Sequence, residues 1–304
     1  MENINCNICG GKKYKLILQQ KDLYIKNKDT TFFSLVRCVN CGLIYLNPQP
    51  NNKELRSFYG ANYFSQLEID NGSKNLAENQ KSKVYKFLRK MKNKVLFSDT
   101  FLFYKWDIFK ERIGGKFLDI GCAEGIRDIE LIRRLPEWEF YGVEPNIEAY
   151  KVAKKIKNFL VFNGTLEEAK YSDNFFDIIL LSHSLEHISN PYKALQECRR
   201  ILKKGGKLIL IVPNINSLSY FLGKNTWRHL DIPRHLFHFS PITIKKLLEK
   251  SNFVVKKIET RSIGGHDISF GGTSNILVAS FEYVVDFLLK KIKLSSELNI
   301  LAEK

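Results

Sequence analysis

The stretch from Gly115 to Gly125, Gly-Lys-Phe-Leu-Asp-Ile-Gly-Cys-Ala-Glu-Gly, constrains the fold more than any other. Phe117 to Ile120 is an apolar run of the length of a short buried strand. Gly121, Ala123 and Gly125 then keep alternate positions small. Ile126, Ile129, Ile132 and Leu135 follow at helical steps. A strand, a small-residue turn and a helix let backbone approach a ligand and turn the unpaired N–H groups of a helix N-terminus toward it.

The same alternation continues. Strands are expected at 139–143, 159–162, 176–181 and 207–212, and helices at 147–157, 166–169 and 192–202. Strands separated by helices give a mostly parallel sheet covered on both faces, a doubly wound α/β fold. Ser240 can cap a helix at 242–250, and strands at 253–260 and 297–303 bring the sheet to seven. Ligands of such sheets sit outside the carboxyl ends of the strands.

The first 50 residues follow another logic. Cys6 and Cys9 form one C-x-x-C pair, and Cys38 and Cys41 form a second. A glycine follows each pair and permits the left-handed backbone of a tight turn. Two such turns face to face make a tetrahedral four-thiolate site suited to zinc, closed and therefore structural. Strands at 14–18 and 32–36 would complete a zinc ribbon, with 21–29 bulging out between them. Neither pair sits in the βαβ context of a redox C-x-x-C. Met1-Glu2-Asn3 lacks the basic start and apolar segment of a secretory signal, so the expected compartment is the cytoplasm.

Domain bounds follow: a zinc ribbon at 1–50, a linker and helical lid at 51–113, and a main domain at 114–304 with insertions at 214–241 and 262–295. The lid segment carries Val84, Phe87, Leu88, Met91 and Val95 on one helical face and Lys81, Lys83, Lys86, Arg89, Lys90, Lys92 and Lys94 on the other. With a net charge of +16, this stripe raises an anionic partner, although a solvated lysine-rich surface explains it equally well. The segment 275–292 is apolar nearly all round. It calls for burial against the domain, a second copy of the chain or a membrane surface. Glu282 and Asp286 interrupt it, so no membrane span is expected.

Asp119 precedes the small-residue turn, whose two-step spacing departs from the dinucleotide fingerprint. Glu144 ends the second strand of the domain, where an acid can accept both hydroxyls of a ribose. Pro145 follows it. Thr165-Leu166 follows the third strand. Ser182-His183-Ser184-Leu185-Glu186-His187 follows the fourth, and Leu202-Lys203-Lys204-Gly205-Gly206 closes the next helix. Together these segments, over roughly 115–260, resemble the class I S-adenosylmethionine-dependent methyltransferases. Leu185-Glu186-His187-Ile188 resembles the family's L-E-H-v segment, and Leu202 to Gly206 its L-k-p-G-G segment, with Lys204 where proline is usual. Ala123 stands for the middle glycine, and Thr165 for a frequent aspartate.

The resemblance implies a Rossmann-like methyltransferase fold with S-adenosylmethionine as cofactor. Asp119, Gly121, Cys122, Ala123 and Gly125 would border its methionine part. Glu144 and Pro145 would meet the ribose, Thr165 and Leu166 the adenine, and Ser182 and His183 would lie beneath. The ribbon ahead of this core also resembles a bacterial and archaeal subgroup that often acts in sugar or surface-polysaccharide biosynthesis. That implies a small-molecule or glycan-type acceptor, such as a nucleotide-linked sugar.

The acceptor side is expected at Asn225 to Pro241, which holds three of the six histidines. His235 matches a subgroup histidine and is the first candidate for a general base, with His187 second. Histidine suits deprotonation of an oxygen near neutral pH. Trp227, Arg228, Arg234 and His238 are candidate substrate contacts, the arginines for phosphate. Two rivals stand beside this reading. One is an RNA methyltransferase using the ribbon and the basic helix, although Leu185-Glu186-His187 is unlike the segment used on base amines. The other is a non-catalytic scaffold that keeps the cofactor pocket.

Overall fold

The fold comes from a computed structural model, which describes residues 1–22, 31–59, 108–109, 113–261, 292 and 294–304. In chain order the elements are β1 (Tyr14–Gln20), β2 (Phe33–Cys38), β3 (Ile44–Leu46), α1 (Asn52–Ser57), β4 (Gly115–Ile120), α2 (Ile126–Arg134), β5 (Trp138–Glu144), α3 (Ile147–Ala153), β6 (Phe159–Asn163), β7 (Phe176–Ser182), α4 (Pro191–Ile201), β8 (Leu202–Pro213), α5 (Leu218–Gly223), β9 (Phe237–His238), α6 (Pro241–Lys250), β10 (Val254–Arg261) and β11 (Glu297–Glu303). Two compact units result. One comprises Met1–Phe101, Pro213–Ser240 and Thr260–Glu297; the other comprises Leu102–Val212, Pro241–Glu259 and Leu298–Lys304.

The second unit is built on a seven-stranded sheet of order β10-β11-β8-β7-β4-β5-β6. Strands β4 to β8 pair in parallel. From β4 the chain steps outward through β5 and β6, then returns to place β7 on the other flank of β4. That reversal opens a crevice at the carboxyl ends of β4 and β7, the usual ligand position in such sheets.

Every residue of β7 is buried. Burial of each large apolar side chain contributes about 1.5–3 kcal/mol. The buried acid in that strand, Asp177, accepts the Lys116 N–H at 2.9 Å and Lys203 Nζ at 2.7 Å, so its charge is matched. Helix α4 starts with Pro191 at its first turn and with the Asn190 side chain accepting the Lys193 N–H at 3.0 Å. It buries Ala194, Leu195, Cys198 and Ile201, one helical stripe.

The first unit carries a four-stranded sheet of order β1-β2-β3-β9. Its pairs are antiparallel, and β3 meets β9 with Ile44 opposite His238 and Tyr45 opposite Phe237. Asn51 and Glu54 cap α1 reciprocally: the Glu54 N–H donates to Asn51 Oδ1 at 2.9 Å, and the Asn51 N–H to Glu54 Oε2 at 2.8 Å.

Three local expectations change. Helix α3 ends at Ala153 rather than 157, and 166–169 is a single turn. In α2 the helical period holds, but the apolar positions are not all buried. Ile126 and Ile129 are 72% and 48% exposed, while Asp128 and Leu131 are buried. The basic segment 81–94 and all but Ile292 of the apolar segment 275–292 lie outside the described residues. Among those described, no helix is long and apolar enough to cross a membrane.

Candidate active site and cysteine cluster

The turn after β4 is folded by backbone. The N–H groups of Gly121 and Cys122 donate to the Val143 carbonyl at 2.8 and 3.2 Å, and the Gly125 N–H to the Cys122 carbonyl at 3.0 Å. Gly121, Ala123 and Gly125 all take positive φ, 77°, 50° and 70°. Ala123 therefore holds a left-handed conformation that costs a side-chain-bearing residue about 1–2 kcal/mol. At Gly121 space also forbids a side chain, because a Cβ would meet Ser184 Cβ at 2.8 Å.

Glu144 sits at the end of β5, mostly buried. Its Oε2 accepts the Ala123 N–H at 2.8 Å and its Oε1 the Asn146 N–H at 2.7 Å. Each oxygen keeps a lone pair for a further donor. Burial raises its pKa above the ordinary range. The Asn146 and Ala123 N–H groups oppose that shift, and the Asp119 charge adds to it. Asp119 is fully buried, and neither of its oxygens has a hydrogen-bond partner among the described residues. Buried thiol Cys122 is pushed up by burial and by the Asp119, Asp128 and Glu144 charges, so it stays protonated.

A buried, unmatched carboxylate is costly unless a donor or cation reaches it. The pocket thus suits a ligand carrying positive charge and a vicinal diol, as the methionine and ribose parts of S-adenosylmethionine do. Leu166 is buried nearby in sequence to Thr165, whose N–H donates to Glu168 Oε2 at 2.7 Å and whose hydroxyl accepts the Glu168 N–H at 3.3 Å. This is a capping box, legible in the sequence as Thr-x-x-Glu. Pro145 is exposed.

After β7, the Ser184 hydroxyl donates to the Ile120 carbonyl at 2.7 Å and binds the two loops of the crevice together. Ser182 is buried. His183 lies at φ 52°, with Nδ1 3.5 Å from Oε1 of the fully buried Glu186. Burial alone would raise Glu186; His183 and His187 outweigh it and hold its carboxyl below the ordinary range. His187 is half-buried.

In the first unit His235 and His238 pack together beside the segment that carries His229. His235 Nδ1 donates to the His229 carbonyl at 2.8 Å, and His238 Nε2 donates to the Leu230 carbonyl at 3.0 Å. Their rings meet edge-on at 6.2 Å. Trp227 is buried and donates to Ser219 Oγ at 3.1 Å. Arg228 opens a short 3₁₀ turn; its side chain is outside the described set. Arg234 corrects an expectation. It is fully buried, and its guanidinium is engaged by Asp22, Asp231 and the Phe58 carbonyl. These donors serve the fold and not a substrate phosphate.

The four cysteine sulfurs, Cys6, Cys9, Cys38 and Cys41, lie within 4.8 Å of one another. Across the pairs, the Cys6 and Cys41 sulfurs lie 3.3 Å apart and those of Cys9 and Cys38 3.4 Å. A tetrahedral ion with ~2.3 Å metal–sulfur bonds needs sulfurs about 3.8 Å apart, so the cluster fits one. The two turns match. The Gly10 N–H donates to the Cys6 carbonyl at 2.8 Å and the Gly42 N–H to the Cys38 carbonyl at 3.0 Å, both glycines at positive φ. Burial would raise Cys38, but the Cys41 and Asn40 N–H groups aimed at its sulfur bring it down to about 7. Burial keeps Cys6 well above its ordinary value, although Cys9 and Ile8 N–H groups point at it likewise. The cluster could hold a metal.

Comparison with known proteins agrees with the crevice. Residues 87–258, more than half of the chain, match the model of the methyltransferase domain family. The chain belongs to that family. Among curated relatives of this methyltransferase, the rat mitochondrial ubiquinone biosynthesis O-methyltransferase is 32% identical over 119 residues, 36% of this chain and 34% of its own. The demethylmenaquinone methyltransferase of Thermotoga maritima is 27% identical over 110 residues, 36% of this chain and 48% of its own. The chain thus spans between a third and a half of these relatives' length. A structure of a candidate sarcosine dimethylglycine methyltransferase from Galdieria sulphuraria superposes with a TM-score of 0.50 at 17% identity, covering 69% of this chain and 86% of that one. That likeness is one of fold. S-adenosylmethionine is the family's cofactor, and the buried Asp119 and the diol-ready Glu144 fit it.

Proposed function

We propose that this methyltransferase methylates a hydroxyl oxygen on a small, glycan-type acceptor such as a nucleotide-linked sugar. His235 is its general base, and a structural zinc sits on Cys6, Cys9, Cys38 and Cys41. The observation that carries the reading is the His235 ring. Its Nδ1–H donates to the His229 carbonyl, which fixes the ring's orientation. The rat relative's name, an O-methyltransferase of ubiquinone biosynthesis, supports a small-molecule oxygen acceptor.

Asp119 would face the positive charge of the cofactor, and Glu144 would accept from the ribose hydroxyls. Leu166 would pack on the adenine. S-adenosylmethionine, when bound, supplies a methyl group on a sulfonium, and the carbon–sulfur electron pair returns to sulfur as an oxygen takes the methyl. His235 receives the proton that this oxygen loses. The chain's main task is alignment, since a well-oriented pair of reactants reacts far faster than a free one. Of the two arginines expected near an anionic acceptor, only Arg228 is left for that role.

The deciding experiment is methyl transfer from labelled cofactor to nucleotide-linked sugars, to phenolic quinone precursors and to RNA. Label in the sugar fraction supports the reading. Label in quinone precursors or RNA alone replaces the acceptor. Cofactor binding with no turnover on any fraction makes the protein a scaffold.

A further inference from the structure

Among the described residues, the seven-stranded sheet ends at β10 on one side and at β6 on the other. An edge strand presents a row of unpaired backbone N–H and C=O groups, and proteins commonly guard it with charged side chains. Strand β10 follows that rule. Lys256, Lys257 and Glu259 stand along it, with Lys256 3.4 Å from Glu303 and Lys257 2.9 Å from Glu259. Strand β6, Phe-Leu-Val-Phe-Asn, carries no charge, and among the described residues it pairs with β5 alone. Its Leu160 is 60% exposed and its Phe162 36%. One edge of the sheet is guarded and the other is not.

The backbone sets what the open edge can pair with. The Gly164 N–H donates to the Glu144 carbonyl at 3.2 Å, so it turns toward β5. Counting back by the two-residue period of a strand, Phe159, Val161 and Asn163 turn their N–H and C=O groups outward, while Leu160 and Phe162 share one face. A second β6 laid antiparallel about a two-fold axis at Val161 would meet all of these. Val161 opposes Val161 and Phe159 opposes Asn163 as hydrogen-bonded pairs, and Leu160 opposes Phe162 twice as the closer, non-hydrogen-bonded pairs. Each such apolar pair contributes roughly 0.2–1 kcal/mol. Charge agrees with that direction. Lys154, Lys155 and Lys157 are exposed just before β6, and Glu167 and Glu168 are exposed just after it. Antiparallel pairing brings the lysine end of each strand beside the glutamate end of the other.

We propose that β6 is a self-pairing edge, through which two copies of the chain join their sheets antiparallel about a two-fold axis at Val161. A second copy is the occupant that fits, because a two-fold interface must be complementary to itself. A patch with lysines at one end and glutamates at the other is so. A wholly acidic or wholly basic partner would match one end and oppose the other. Main-chain hydrogen bonds would give such a strand addition its affinity, and the Leu160–Phe162 pairs its register. The inference depends neither on the acceptor nor on His235.

The test is sedimentation equilibrium of the full chain over a concentration series, with the variants Phe162→Lys, Lys155→Glu and the double variant Lys155→Glu with Glu167→Lys. The unaltered chain should associate to a dimer and stop there, since a two-fold interface closes. Phe162→Lys places a charge on the edge twice per dimer and should raise the dissociation constant at least about 10-fold. Lys155→Glu should weaken the dimer several-fold, and adding Glu167→Lys should restore it, because the reversed charges meet again only between antiparallel strands. All these side chains are exposed, and a thermal melt with cofactor titration should confirm an intact fold, affinity staying within twofold. Should Phe162→Lys not fold, Leu160→Lys makes the same test from the opposing position. A chain that stays monomeric, an open-ended assembly, or a dimer that neither Phe162→Lys nor Leu160→Lys weakens overturns the proposal. A dimer that the edge lysine weakens but whose charge reversal is not rescued overturns the antiparallel register.

Discussion

The Ala123 N–H donates to Glu144 Oε2 at 2.8 Å, so the small-residue turn after β4 is tied to the acid that ends β5. Two features read separately in the sequence are one structure, and the acid shapes the turn before any ligand arrives.

Glu144→Gln should therefore weaken both fold and cofactor binding. An amide keeps one acceptor and turns an NH₂ toward the Ala123 or Asn146 N–H. Loss of a hydrogen bond to a charged group costs about 1.5–3 kcal/mol, or roughly 10- to 100-fold in affinity. Calorimetric titration of cofactor and a thermal melt would show both losses. The pH dependence has a definite sign. Glu144's folded pKa is raised, chiefly by burial. Its contribution to apo stability is then full below the ordinary carboxylate range and lost as pH rises through the raised value. Cofactor affinity tightens over that same window, because the ionised carboxylate is the better acceptor. Both trends should flatten in the variant.

Ala123→Gly should stabilise the protein. At φ 50° the alanine bears a left-handed cost of about 1–2 kcal/mol, against about 0.5–1 kcal/mol of extra unfolded-chain entropy for glycine. The net gain of roughly 0.5–1 kcal/mol corresponds to a melting temperature higher by about 1–4 °C. A lower melting temperature would mean that the methyl group packs better than its backbone suggests.

Helix α3 offers a local check. The Asn146 side chain accepts the N–H groups of Glu148 and Ala149 at 2.9 and 3.0 Å. Asn146→Ala should cost about 1 kcal/mol by urea unfolding, the usual value of an N-cap. Its own N–H would still reach Glu144, so cofactor affinity should hold.

These tests concern parts that the sequence announced. Strand β11 occupies 297–303, the range its pattern predicts, and β4, β5 and β7 differ from expectation by a residue or two. Short-range signals explain this: apolar runs, small-residue turns, and a cap such as Asn190. What stayed hidden depends on distant partners. Nothing near Arg234 in the sequence announces Asp22, which lies 212 residues away and takes the charge offered to a phosphate. In α2 the apolar period includes Ile126 and Ile129, yet the buried positions are Asp128 and Leu131. Periodicity fixes the angle between residues, not which side meets the sheet. The cysteine pairs were legible because their spacing is itself the chemistry. That Cys6 approaches Cys41 and Cys9 approaches Cys38, across the two pairs, is a fact of the fold.

Metal removal separates the two units' roles. Cys38→Ser should release the metal from the purified protein, by elemental analysis, and lower the melting temperature, since metal binding to such clusters is folding free energy. The cofactor pocket lies in the other unit, so its affinity should change less than twofold. A protein that never carries stoichiometric metal would remove zinc from the proposal and leave the methyltransferase standing.

Asp119→Asn gives the sharpest test, because it should move two quantities in opposite directions. The aspartate is fully buried, and neither oxygen has a hydrogen-bond partner among the described residues. In the free protein that carboxyl group is desolvated without return, and its charge raises the pKa of Glu144. The neutral amide is nearly the same size, so it removes a buried charge without opening a cavity. Apo stability should rise by about 1–3 kcal/mol, the scale of an unmatched buried polar group. Cofactor affinity should fall at least 10-fold, because the positive charge of the ligand loses its counter-charge. Stability traded against binding marks a residue kept for function and not for the fold. If the variant instead loses stability and keeps its affinity, Asp119 is a structural acid of the turn, and the cofactor's charge is met elsewhere.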